Sequence, residues 1–210
     1  YVLVSVAGGA ERRVRARIPV KRPGYLHAFA LTATHAVIWD SAWRASPLRF
    51  LFSGEPYARH FDWLPQGGSR IHTVNLADGS VRSWDAPPLM VFHAAQAFDA
   101  GGDVVVDLCV DEAPFADDLG IERLRAGAPL ALPAAQHTRF VLAPGRGSAR
   151  AESLPGRFEL PQVNAAVAAK GPARYVWGAA PGSPGVFFDR TMKLDHASGR
   201  ITMVGSDDRH

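Results

Sequence analysis

With one cysteine, Cys109, among its 210 residues, the chain can form neither an internal disulfide nor a multi-cysteine metal cage. Its arginines are scattered and the formal charge is only +3, so it lacks the clustered cations that nucleic acid requires. No apolar run approaches the ~18–20 residues of a membrane-spanning helix, and no signal-peptide pattern is present. A G-x-S-x-G elbow, a P-loop and a G-x-G-x-x-G turn are all missing, which removes the common nucleophile and nucleotide-binding motifs. Helical periodicity is scarce as well; only Asp118–Arg125 shows it, for two turns.

What the chain has in plenty is turn chemistry between short apolar runs. Its 20 glycines and 16 prolines are spread along the whole length, which favours many short strands. Strands are expected at Val2–Val6, Val14–Ile18, Leu26–Leu31, Ala36–Trp39, Arg70–Asn75, Val81–Trp84 and Met90–Ala94. Further strands are expected at Val104–Val110, Arg139–Leu142, Ala173–Trp177, Val186–Asp189, Thr191–Leu194 and Arg200–Val204. Asp78-Gly79, Gly101-Gly102 and Ser198-Gly199 are hairpin signals between them, and Pro144–Pro155 reads as a loop. The fold class is therefore all-β, antiparallel and hairpin-built, with sandwich, barrel and propeller all open on pattern alone. A strand pattern already under way at Tyr1, and a hairpin, Met192–Val204, close to the other end, suggest part of a longer protein.

Three residues recur at a fixed interval. His27 in Gly24–Thr32, His93 in Val91–Asp99 and Glu159 in Phe158–Asn164 are each 66 residues apart, and each lies in or beside a short apolar run. One metal-ligating residue type per repeat, aimed at a shared axis, is how a radial β-architecture would build a metal site. Imidazole suits divalent iron, copper or zinc, and a nearby carboxylate serves as ligand or as the group that orients one. The remaining histidines, His35, His60, His72, His137, His196 and His210, fall in turns or on polar flanks and read as solvated. Asp103 reads as a turn residue, Asp107 as an inward-facing hydrogen-bond acceptor and Cys109 as a small buried apolar residue. Pro47–Pro56 has two readings: a loop or short helix packed inside, or an exposed apolar lip for a greasy substrate or a membrane surface.

Taken in order, these motifs resemble the carotenoid cleavage oxygenase family, which includes apocarotenoid and stilbene oxygenases and the isomerohydrolase of the retinal pigment epithelium. The segments that carry the resemblance are His27–Thr32, Phe92–Asp99 with Asp103–Asp107, Phe158–Asn164, Arg174–Ala179 and Met192–Gly199, collinear over nearly the whole chain. The resemblance implies a seven-bladed β-propeller, of which residues 1–210 supply about half, without the N- and C-terminal blades. It implies Fe(II) on the axis, held by four histidines, with His27 as the second and His93 as the third. The first and fourth would lie outside this sequence, and no catalytic residue is implied beyond the ligands. Glu159 would accept a hydrogen bond from one imidazole and fix its tautomer. Ala28, Gln96 and Asp99 depart from the family's usual Asp or Ser, Asn and Glu; none of the three is a ligand.

The activity implied is addition of O2 across one C=C bond of a carotenoid or apocarotenoid, giving aldehyde or ketone products. The partners are then an apolar polyene and O2, with no nucleic acid, and Pro47–Pro56 is the candidate tunnel entrance and site of peripheral membrane contact. A cytoplasmic location, at a membrane surface if that segment docks there, goes with this reading. The alternatives are a lignostilbene-type dioxygenase and a non-catalytic propeller fragment. The 210-residue piece on its own is expected to be inactive.

Overall fold

A computed structural model describes residues 1–8, 11–114, 125–127, 134–168, 170–182 and 188–205. The chain opens with a hairpin of β1 (Val2–Ala7) and β2 (Glu11–Arg17). Three four-stranded antiparallel sheets follow. The first joins β3 (Ala30–Leu31) and β4 (His35–Asp40) to β7 (Ser69–Asn75) and β8 (Val81–Ala86). Between β4 and β7 sits an insertion: a two-stranded pair, β5 (Trp43–Ala45) and β6 (Phe61–Trp63), with helix α1 (Pro47–Phe52) between its strands. The second sheet is a meander of β9 (Met90–Ala100), β10 (Asp103–Asp111), β11 (Gln136–Leu142) and β12 (Arg150–Arg157). The third comprises β13 (Glu159–Gln162), β14 (Tyr175–Ala180), β15 (Arg190–Asp195) and β16 (Arg200–Gly205), with a single-turn helix α2 (Ala165–Ala168) after β13.

The hairpins form where their turn residues demand. Gly101 and Gly102 adopt φ of 59° and 93° between β9 and β10, the pair of positive φ values that a tight two-residue turn needs. Of the first strands of the three sheets, β9 lies against both β3 and β13, so the sheets stand as successive blades around a common centre. The architecture is all-β, part of a β-propeller with antiparallel blades and only short helices.

Packing between the blades makes the core. Val37, Trp39, Ile71 and Trp84 of the first blade pack with Val91, Val106, Leu108 and Phe140 of the second. Cys109 of the second packs with Phe158, Val176, Met192 and Leu194 at the start of and within the third. A sheet covered on both faces shows no polar face, so the six residues Val104–Cys109 are all buried, an apolar run broken only by Asp107, whose charge Arg139 pairs.

The structure departs from the sequence expectations at several places. Arg150–Arg157 is a strand, β12, over the second half of the segment read as a loop. Strands β5 and β6 were not foreseen. Of Leu26–Leu31, only Ala30–Leu31 is extended in the ladder, and His27 lies in the bend before it. Asp103 is the first residue of β10, next to the Gly-Gly turn. The expected helix Asp118–Arg125 lies outside the described residues apart from Arg125, as do Val186 and Phe187 of the expected strand Val186–Asp189, whose remaining two residues are not strand. Pro47–Phe52 is a short helix but is not packed inside: none of its residues is buried, and Leu48, Leu51 and Phe52 are 70%, 72% and 83% exposed.

Candidate metal centre at the inner strands

The 66-residue interval is one blade. It brings His27, His93 and Glu159 to the first strand of three consecutive blades, or just before it. The His27 and His93 rings stand edge to face with centroids 5.1 Å apart. Glu159 Oε2 lies 2.6 Å from His93 Nδ1. All three residues that the spacing singled out are thus in one place.

Local irregularities aim these side chains. The ladder between β9 and β10 breaks register twice, between Asp107 and Leu108 and between Leu108 and Val110; His93 lies within the second break, between Val91 and Ala94, and such a bulge turns a side chain out of the regular pleat. Strand β13 carries one extra residue between Glu159 and Gln162 relative to β14. That bulge contains Leu160, at φ +51°, and Pro161, which has no N–H to give the ladder. The left-handed turn at Leu160 folds the Glu159 carboxylate back, so that Oε2 accepts from the Leu160 N–H at 2.9 Å as well as from His93. On the first blade, Gly24 passes so close to Ser41 that any Cβ would overlap the Ser41 backbone. Its N–H donates to Asp40 Oδ1 at 2.9 Å. This crossing fixes the approach of the Tyr25–His27 segment.

A carboxylate at His93 Nδ1 requires that nitrogen to carry the proton. The lone pair of the neutral ring is then on Nε2, the atom free to ligate. Tyr25 Oη is 3.3 Å from His27 Nδ1 and can accept that N–H in the same manner. Glu159 is 4% exposed, and its second oxygen has no hydrogen-bond partner among the described residues. Asp111, two residues along the strand from Cys109, is also buried, with both oxygens unpartnered. Burial first, and the Glu159 charge second, push its carboxyl up from 3.8 to about 8. Asp111 was not among the expected site residues; the signal was a third carboxylate, after Asp103 and Asp107, at the end of the same valine-rich strand.

The solvated reading of the other histidines is corrected for three of them. His60, His72 and His137 are buried, and His196 is half-buried. A polar flank in sequence is not a wet face here: His137 packs against Phe158 and the His196 ring, and His60 against Phe50 of α1. His72 donates to or accepts from Ser83 Oγ at 2.8 Å, and burial lowers its pKa. His35 stays at the surface beside Asp99, and His210 lies outside the described residues. Asp107 is the inward acceptor expected of it, taking both Arg139 Nε and Nη2 at 2.8 Å and Gln96 Nε2 at 2.8 Å. Cys109 is fully buried, and its thiol pKa is raised well above normal by that burial. Gln96 and Asp99 have partners of their own: Gln96 Oε1 accepts from Ala173 N–H, and Asp99 accepts from Thr32 and Thr34.

An unbroken series of ring contacts leads away from the histidine pair. His27 meets Phe92 at 5.6 Å, Phe92 meets Tyr25 at 5.6 Å, and Tyr25 meets Phe61 at 5.5 Å. Phe61 meets Phe50 of α1 at 5.5 Å. A cavity of about 640 Å³ lined by Trp43, Phe61, Trp63 and Arg49 opens beside α1. No helix among the described residues is long and apolar enough to cross a membrane.

Comparisons with known proteins bear on the family and the fold. A family model described as retinal pigment epithelial membrane protein matches residues 1–209. Carotenoid cleavage dioxygenase 8 homolog A, chloroplastic, of Oryza sativa subsp. japonica is 35% identical over 128 residues, 57% of this chain and 23% of the relative. Carotenoid cleavage dioxygenase 8, chloroplastic, of Arabidopsis thaliana is 31% identical over 142 residues, 60% of this chain and 25% of the relative. The chain thus spans about a quarter of the length of these curated relatives. Among solved structures, cobalt-substituted Synechocystis ACO superposes with a TM-score of 0.75 at 22% identity, over 87% of this chain and 38% of that one. A mutant of Synechocystis apocarotenoid oxygenase superposes with a TM-score of 0.76 at 19% identity, over 94% and 41%. These two likenesses bear on the fold alone.

Proposed function

The chain belongs to the retinal pigment epithelial membrane protein family, and from that premise we propose that the full-length protein is an Fe2+-dependent dioxygenase that cleaves a C=C bond of a carotenoid or apocarotenoid. Residues 1–210 are then the central part of a seven-bladed propeller domain whose remaining blades supply the other ligands. The observation that carries this reading is the His27–His93 pair, with Glu159 bound to His93 Nδ1. The names of the curated relatives supply the substrate class.

The residues fit a divalent iron. Two imidazoles, one on β9 and one in the bend before β3, each have Nδ1 engaged by an oxygen, which leaves Nε2 for the metal. When bound, Fe2+ supplies the one-electron chemistry by which O2 reacts with an electron-rich alkene. The chain's own residues do the rest. Glu159 holds the His93 ring in one tautomer and orientation. The rings of Tyr25, Phe92, Phe61 and Phe50 form an apolar wall that keeps water from the polyene and steers it toward the pair. Helix α1, with Leu48, Leu51 and Phe52 exposed, is the lip through which a lipid-dissolved substrate enters, and it contacts the membrane surface at the interface. No side chain is required to take or give a proton in breaking the double bond.

The test is an assay of the iron-loaded full-length protein on a carotenoid, an apocarotenal and a hydroxystilbene, with products read as aldehydes by chromatography. Aldehydes from a polyene, lost in His27→Ala and in His93→Ala, support the reading. Aldehydes from the stilbene alone move the substrate to the lignostilbene class. Unchanged turnover in both variants overturns the iron assignment.

A further inference from the structure

A second group of metal-ligating side chains lies apart from the axial pair. Asp107 on β10, His137 on the adjacent strand β11 and His196, in the turn that follows β15 of the next blade, offer one carboxylate oxygen and two ring nitrogens within 4.8 Å of one another. We propose that these three residues bind one divalent transition-metal ion, of the zinc type, that clips the second blade of the chain to the third.

The hydrogen bonds around the cluster present its donors. His137 is fully buried, and its Nδ1 faces the Pro155 carbonyl oxygen at 3.4 Å, an atom that can only accept. Nδ1 therefore carries the proton and Nε2 the lone pair. That Nε2 has no partner among the described residues, an expensive condition for a buried nitrogen unless something takes the lone pair. Gln96 sets the second ring. Its Oε1 is committed to the Ala173 N–H, so its amide NH2 is the group that faces Asp107 Oδ2 and, at 3.4 Å, His196 Nε2. His196 Nε2 is thus also an acceptor, held only by a long contact. Desolvation keeps both rings neutral, lowering His137 to about 4 and His196 in the same direction.

Asp107 is immobilised by the two-pronged grip of Arg139, which leaves one lone pair on Oδ1. Because Arg139 offsets the carboxylate charge, the two imidazoles dominate the donor set. Such a site favours a borderline metal over Mg2+ or Ca2+, which need several oxygens. Small side-chain rotations would bring all three donors onto bonds of ~2.0–2.2 Å. The three ligands come from two blades, so the ion would tie them together in the way that a structural metal adds to folding stability.

The proposal does not depend on the axial centre, and its test keeps the two apart. Full-length protein retaining its iron is equilibrated with Zn2+, desalted, and analysed for zinc and iron per chain. One zinc per chain beside the iron is expected. It should be lost, with iron unchanged, in His196→Asn, a half-buried turn position that the fold tolerates, and in His137→Gln, provided circular dichroism shows that variant folded. Zn2+ should raise the thermal midpoint of the parent protein and leave that of His196→Asn where it was. No zinc beyond the iron in the parent, or a zinc equivalent that survives in His196→Asn, would overturn the proposal.

Discussion

Replacing Glu159 by alanine should weaken Fe2+ binding by the full-length protein about 10–100-fold, the usual cost of losing the group that orients a ligating imidazole. The structure gives the size of the effect. Oε2 is 2.6 Å from His93 Nδ1, a charge-assisted hydrogen bond contributing ~1.5–3 kcal/mol, and 10–100-fold corresponds to ~1.4–2.8 kcal/mol. Without the carboxylate the ring can turn over and place its proton on the nitrogen that should ligate. Glu159→Gln keeps an acceptor but loses the charge, which roughly halves such a bond, so its affinity should fall only about threefold to tenfold. The assay is competition for Fe2+ against a chromophoric chelator. A folded Glu159→Ala protein that holds Fe2+ as tightly as the parent would refute the role assigned to this residue.

Three further perturbations probe the frame around the site. A methyl at Gly178 would overlap the Phe158 ring and sit 3.0 Å from the Glu159 carbonyl oxygen; Gly178→Ala should cost ~1–3 kcal/mol, read as a lower urea midpoint. Asp111 keeps its proton in the folded chain up to about pH 8 but ionises near 3.8 when unfolded, so its contribution to stability is intact at acid pH and declines as pH rises between those values. Asp111→Asn should remove that decline, and parallel urea midpoints for variant and parent from pH 4 to 8 would contradict it. Leu51→Ser and Phe52→Ser, at exposed positions of α1, should leave stability within ~0.5 kcal/mol while reducing retention on phospholipid vesicles in a flotation assay.

The meander of each blade was legible because the turn pairs Asp78-Gly79, Gly101-Gly102 and Ser198-Gly199 stand between runs of strand-forming residues, and local turn chemistry does not depend on tertiary context. The meeting of His27, His93 and Glu159 was legible for a different reason. A repeat of one blade length returns the chain to the inner strand, so the interval from His27 to His93 to Glu159 encodes proximity directly. What could not be read depends on contacts between blades. The segment Arg150–Arg157 contains Pro155 and Gly156 and lacks an apolar face, yet it pairs as the last strand of its meander through the backbone of β11. Strand β11 opens on four polar residues, Gln136–Arg139, as a wet strand end would, but Phe158 packs on His137 and Asp107 of β10 grips Arg139. His137 and Arg139 are therefore drawn inward to partners that a single strand cannot reveal. His27 was placed in a strand because Leu26 and Phe29 flank it; the close passage of Gly24 over Ser41 bends that stretch, and the ladder begins only at Ala30.

X-ray absorption at the iron edge of the full-length protein tests the central claim most directly. His27 and His93 ligating one iron predicts a nitrogen shell with imidazole scattering that loses one imidazole in His27→Ala and one in His93→Ala. A spectrum unchanged by both substitutions would show that the iron sits elsewhere.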